Sequence, residues 1–266
     1  MDAPWLLHET EHVFASAMRR TGLAMAGTIV ALFGWAGAGY AETKLTVVAD
    51  EWPPFSGKTL KNGGISLDVI SAVLIRAGYD VSTEVLPWAR IMDGSRKGEY
   101  DIVGSLFFDE EIATYMTYGE PFFSTDIKFV RKKGAAHTVS DLDSLRPYTI
   151  AVGDGFLYEE NFDRADFLQK VVVTTTLQAV QMVAYDRVDL TLDSEDVVKY
   201  AVQFGDPSLA DRIEVMPNIL TSHDIHMAVR NTLPEKDKVI ADFNNALADM
   251  RADGSLAAVL SAHDID

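Results

Sequence analysis

The chain is 266 residues long and 48% hydrophobic, enough for one large core or two small lobes. Its 23 Lys and Arg face 40 Asp and Glu, a formal net charge of −17 that repels phosphate backbones and anionic headgroups and argues against a nucleic-acid or membrane-surface partner. The absence of cysteine excludes disulfides, thiol nucleophiles and thiolate metal sites.

In chain order, the first readable element is a leader. From Met18, Arg19 and Arg20 form a charged start and residues 22–36 are apolar and small. Ala36-Gly37-Ala38 and Gly39-Tyr40-Ala41 both offer small residues at the −3 and −1 positions of a cleavage site. The apolar run is short against the roughly 20 residues of a membrane span. A signal peptide over residues 1–41, with translation starting at Met18 and cleavage near Ala41, is therefore expected. The mature protein is then placed in the periplasm.

Strand and helix patterns alternate after the leader. KLTVVAD (44–50) reads as a buried strand. SLDVISAVLIRAGY (66–79) carries a helical stripe of Leu67, Ile70, Leu74 and Ala77, with Ser66 as the expected N-cap. A strand at 81–86, a helix opened by a proline at 87–99, a strand at 101–107, a short helix near 109–116 and a strand at 126–133 follow. The pattern then restarts: a short helix at 140–145, strand and turn at 148–155, a helix near 157–168, a strand at 171–176, a helix at 176–187, a strand at 188–192 and a helix at 193–205. Two strands, 213–218 and 223–231, precede a long helix at 234–254 and a last one near 255–263. Two successive βαβαβ units predict two small α/β lobes.

Ligands of open parallel sheets lie beyond the carboxyl ends of the strands. Those ends are Asp50–Phe55, Trp88–Arg90, Ser105–Phe108, Gly153–Leu157 and Asp193–Glu195, and facing lobes would bring all five to one cleft. No histidine falls at a predicted strand end, so a Ser/His/Asp triad is not expected and surface histidines are the default. His223 and His226, three apart on a strand, point to opposite faces and make a poor metal pair. No GxSxG, HExxH, phosphate-loop or dinucleotide motif is present. No catalytic residue, metal or cofactor is thus expected, although Glu51, Asp109 and Asp193 could pair for acid/base work. Trp52, Phe55, Trp88 and Phe107 offer flat apolar area suited to holding a solute, and carboxylates beside them favour a cation.

The mature chain resembles the family 3 extracellular solute-binding proteins, the amino-acid type that feeds ABC importers. The resemblance rests on ADEWPPF, GGISLDVISAVLIRAGY, PWAR…GEYDIVGSL, YGEPFF, AVGDGF and DRVDLTLDS, in that order and spacing. It implies a type II periplasmic-binding-protein-like α/β fold, each lobe a mostly parallel sheet flanked by helices. Lobe 1 would comprise residues 42–129 plus 221–266 and lobe 2 residues 130–220, with hinge strands near 127–133 and 219–229. The ligand-binding residues expected at the strand ends are Asp50, Glu51, Trp52, Phe55, Trp88, Arg90, Ser105, Phe107, Phe156 and Asp193. The implied partners are a small polar solute (amino acid, amine or related) and the permease of an ABC importer, with the protein acting as a monomer. A sensing module that serves a membrane receptor and a dehydratase-like enzyme are the alternatives on the same scaffold. The sequence departs from the family at one point: Ile112 falls where an arginine usually grips the solute's α-carboxylate. With Asp109, Glu110 and Glu111 beside it, and Asp50, Glu51, Asp193 and Glu195 on facing segments, a cationic solute is expected. An ordinary α-amino acid would need Arg90 as substitute clamp.

Overall fold

A buried strand framed by β-branched residues seeds the first layer. The computed structural model describes residues 43–263, so the signal peptide expected over residues 1–41 lies outside the described residues. β1 (Lys44–Ala49) lies between β2 (Asp80–Val85) and β3 (Ile102–Leu106), all parallel. α1 (Ile65–Arg76) covers one face with Leu67, Ile70, Val73 and Leu74, all inaccessible to solvent. Their spacing puts them on one side of the helix, and each contributes about 1.5–3 kcal/mol on burial. α2 (Trp88–Lys97) covers the other face through Ile91 and Met92, with Pro87 at its cap position as the sequence predicts.

Short α3 (Glu110–Ala113) and β4 (Met116–Tyr118) lead into the ten-residue β5 (Phe123–Lys132). The second layer contains β6 (Thr149–Gly153), α4 (Glu160–Asp163), β7 (Gln169–Val173), α5 (Thr176–Ala184), β8 (Leu190–Ser194) and α6 (Glu195–Tyr200), which runs on into a π-helical turn at Ala201–Gly205. β6 pairs in parallel with both β7 and β8. The helix expected at 157–168 is only one turn, because Glu159 caps it and the following residues fold into i→i+3 turns that bury Ala165 and Leu168.

The two strands expected at 213–218 and 223–231 are one 18-residue strand, β9 (Ile213–Arg230). The apparent break comes from Pro217, which has no N–H for the ladder; the register with β5 shifts around it, between the Lys128↔Ile219 and Val130↔Val215 pairs. β9 pairs with β5 over Ile213–Ile225 and with β3 and β4 over His226–Arg230. The strand order β2-β1-β3-β9-β5-β8-β6-β7, with β4 also on β9, is thus one curled nine-stranded sheet whose two ends have separate cores.

The last two helices return to the first layer. α7 (Lys236–Ala252) buries Phe243 and Leu247 against the α1 face, and α8 (Ser255–Ser261) adds Leu256. Polar contacts join the closing segment to this layer, these three among them. Arg230 Nε and Nη2 donate to Asp101 Oδ1 at 3.1 and 3.0 Å, Tyr79 O–H donates to Asp242 at 2.6 Å, and His263 Nε2 meets Asp68 Oδ2 at 2.7 Å.

The α1 N-terminus also anchors the loop after β1. Gly64, not the expected Ser66, is the N-cap, and the free N–H groups of Ile65 and Ser66 donate to the carbonyls of Pro54 and Phe55 at 3.1 and 2.8 Å. Gly64 needs a left-handed φ of +101°, and a Cβ there would sit 2.6 Å from the Phe55 carbonyl oxygen. Gly64→Ala is therefore expected to destabilise the fold by about 1–3 kcal/mol and to loosen the Trp52–Phe55 loop. Urea melts read the first effect and proteolysis of the loop the second.

Candidate functional site

The loop held by α1 carries Trp52 and Phe55. Trp52 and Ser56 exchange backbone hydrogen bonds at 2.9 and 3.0 Å, closing a tight turn that contains a cis Pro53–Pro54 bond. Phe55 is buried, its ring 4.5 Å from Trp52 and 5.3 Å from Phe123. The end of β3 supplies the next wall. Ser105 is buried at a bulge with φ +61°, a conformation that costs a serine about 1–3 kcal/mol, and its hydroxyl donates to Ser66 Oγ at 3.1 Å. That twist delivers Phe107 edge-on to Trp52, centroids 5.3 Å apart.

The third wall comes from the other lobe. After β6, Gly155 takes a left-handed φ of +69° and turns Phe156 back, 6.0 Å from Trp52 and 5.9 Å from Phe107. Tyr158 packs on Phe156 at 4.8 Å, and its phenol oxygen accepts from the Gly153 N–H at 2.8 Å. His223 completes the group, stacked on Phe107 at 4.3 Å and 19°. Rings at these separations are in contact. A solute that inserts between them must therefore part Phe156 from Trp52 and Phe107.

Asp193, at the end of β8, is only 7% exposed. It accepts from Thr176 O–H at 2.5 Å and from its neighbour Ser194 N–H at 2.7 Å. Burial pushes its carboxyl up to about 6, although these two donors pull it down. Burial also raises the Tyr158 phenol, and the charge of Asp193 adds to that rise. The next residue, Ser194, shares a 2.5 Å hydrogen bond with Thr125, which stands opposite His223 in the β5–β9 pair. Asp50 is raised to about 6 as well, by burial first and Glu51 last, against a backbone hydrogen bond that lowers it.

Of the residues expected at the site, the structure brings together Trp52, Phe55, Phe107 and Phe156, with Ser105 at the end of β3 and Asp193 linked to the His223 position through Ser194 and Thr125. Glu51 is exposed and accepts from Lys58 N–H at 3.4 Å. Trp88 is 39% exposed and Arg90 is exposed on the same helix; among the described residues neither makes a ring contact or an ion pair. The acidic wall is smaller than its sequence suggests. Asp109 caps α3 by accepting from Ile112 N–H at 2.9 Å, Glu111 pairs with Arg96, and Glu195 pairs with Lys128 at 2.6 Å. Glu51, Asp109 and Asp193 thus have separate partners and form no acid/base pair. Ile112 lies in the core with Ile91, Leu106 and Met116.

His223 and Tyr158 escape the sequence reading. His223 is in mid-strand, with no motif around it, and the expectation of a surface histidine fails because β9 carries it past the end of β3. The opposite-face expectation holds, since His226 turns to the Gly119 carbonyl and the Tyr118 ring.

No curated protein sequence matches the chain. Similar solved structures include a histidine kinase sensor domain with similarity to periplasmic binding proteins (17% identity, 83% of this chain and 96% of that one, TM-score 0.70). An amino acid ABC transporter substrate-binding protein from Streptococcus pneumoniae, bound to L-arginine, matches at 17% identity over 83% and 93% of the two chains, TM-score 0.65. The ancestral amino acid-binding protein AncCDT-1, a precursor of cyclohexadienyl dehydratase, matches at 22% identity over 82% and 94%, TM-score 0.63. These likenesses establish the two-lobed periplasmic-binding-protein-like fold. The family profile of the bacterial extracellular solute-binding proteins, family 3, matches residues 45–263, most of the chain, and the chain belongs to that family.

Proposed function

We propose that the protein captures a small organic cation in the periplasm, between a lobe of residues 42–129 plus 221–266 and a lobe of residues 130–220. It releases the solute to the permease of an ABC importer. The observation that carries this reading is the buried Asp193 carboxylate, whose neighbour Ser194 bonds Thr125 opposite His223 of the aromatic cluster. Aromatic faces attract a cation, a desolvated carboxylate gives it a counter-charge, and an anion would lose hydration there without compensation. Lys128, on β5, is already paired with Glu195. The arginine ligand of the Streptococcus pneumoniae relative is in keeping with a cation. The likeness to a kinase sensor domain supports a second reading, in which the loaded protein signals to a membrane receptor. The separate partners of Glu51, Asp109 and Asp193 favour binding over catalysis.

Isothermal titration with agmatine, putrescine, choline, L-arginine and L-glutamate tests the solute class. The amines and agmatine are expected to bind and L-glutamate not to. Binding of a dicarboxylate or a neutral sugar, with none by any amine, would reject the cation and keep solute capture. If L-arginine binds, Arg90→Ala shows whether Arg90 holds its carboxylate. Small-angle scattering with a saturating binder should show a change in radius of gyration as the walls part and reclose.

A further inference from the structure

We infer that His223 is a positioning residue that clasps the two walls of the cleft through a fixed tautomer. The inference rests on the ring cluster being the capture site. His223 lies on β9 opposite Thr125 of β5, in the strand pair that joins the lobes. Its ring stacks on Phe107, at the end of β3, and its Nε2 lies 2.5 Å from the backbone carbonyl of Tyr158, in the opposite wall. That carbonyl belongs to the segment that presents Phe156 to Trp52. One side chain therefore touches both walls from the crossing strand.

The chemistry of the contact fixes the proton. A carbonyl oxygen only accepts, so Nε2 must carry hydrogen, as it does in the Nε2–H neutral form and in the imidazolium. The Nδ1–H form would set two lone pairs against each other at 2.5 Å and release the Tyr158 segment. His226, three residues along, needs the reverse: its Nδ1 faces the Gly119 carbonyl at 2.9 Å. In their neutral forms the two histidines of one strand hold their protons on opposite nitrogens, which gives the assignment an internal control.

The test needs no solute. In the full-length chain with Trp5, Trp35 and Trp88 changed to Phe, Trp52 is the only indole, and acrylamide quenching reads how well Phe107 and Phe156 cover it. His223→Phe keeps a ring over Phe107 but cannot donate; quenching is expected to at least double. His223→Gln supplies a donor and is expected to return the value most of the way to that of the parent. Long-range ¹H–¹⁵N correlation on the wild-type protein, with the His223 signal identified by its loss in either variant, should show hydrogen on Nε2 of His223 and on Nδ1 of His226. Unchanged quenching in His223→Phe, a Gln variant no better than Phe, or an Nδ1–H form at His223 would each overturn the clasp, and the wild-type spectrum decides even if a variant misfolds. Failure of every solute in the titration panel would instead remove the capture reading and leave the clasp standing.

Discussion

Asp193→Asn is expected to melt at a higher temperature than wild type at pH 8 while losing most of its affinity for an amine such as agmatine. Both effects have one cause. In the folded protein the carboxyl is raised from 3.8 to about 6 by burial, so the fold prefers its protonated form. Stability from that preference is fully present below pH 3.8 and is lost as pH rises through about 6. Above that, the solute-free protein bears a desolvated charge with two hydrogen-bond donors and, among the described residues, no ion-pair partner. Asparagine is neutral and close in shape; its oxygen accepts from Ser194 N–H, and the Thr176 hydroxyl reverses to accept from its amide. The variant should gain about 1–3 kcal/mol at pH 8 and nothing at pH 4. Asp50 shifts in the same direction, so the pH slope of wild-type stability is reduced in the variant rather than abolished. Binding moves the other way. Removing one partner of a buried charge pair costs about 2–5 kcal/mol, a loss of about thirtyfold or more. Melts at pH 4 and 8 with titrations at pH 8 read both. A variant that binds amines like wild type would show that Asp193 does not face the solute.

Ile112→Arg should unfold the protein rather than confer amino-acid binding. By sequence spacing alone, the substitution restores a guanidinium clamp to an otherwise ordinary site. In the structure, Ile112 is 6% exposed and packs in the apolar core of Ile91, Leu106 and Met116, to which none of the rings of the cleft belongs. A guanidinium there has no carboxylate partner, since Asp109 is engaged with the helix it caps. An unpaired buried charge costs several kcal/mol, a large part of the 5–15 kcal/mol that typically holds a domain together. The expected result is a melting temperature at least about 10 °C lower, or insoluble protein. A variant that keeps its melting temperature and binds an α-amino acid would show that position 112 reaches the cleft after all.

Much of the architecture was legible because it depends on period and punctuation. The stripe Leu67, Ile70, Leu74 fixed α1, and the apolar run of β1 with its parallel neighbours followed from short strands separated by helices. β9 was misread at Pro217, since a bulge and a chain break look alike when the partner strand is unknown. The site was legible where side chains stand at strand ends: Trp52, Phe107, Phe156 and Asp193 all do. It was illegible where position depends on packing. Counting residues placed Ile112 in the cleft, but a helix of one turn rotates neighbouring positions to different sides, and only the core around Met116 shows which way this one points. His223 lacked any local signal, because its importance comes from the strand it sits on crossing between two walls.

The return of α7 and α8 to the first layer has a consequence for how the chain folds. The contacts that complete that layer join residues far apart in sequence: 129 positions for Asp101–Arg230, 163 for Tyr79–Asp242 and 195 for Asp68–His263. Closing such loops costs entropy before any contact repays it, and folding slows as the mean separation rises. Until the final fifth is available, β3 lacks its β9 neighbour and the α1 face lacks Phe243 and Leu247. A chain emerging amino-end first therefore stays uncommitted for most of its length, the state in which a polypeptide can be threaded across a membrane before it folds.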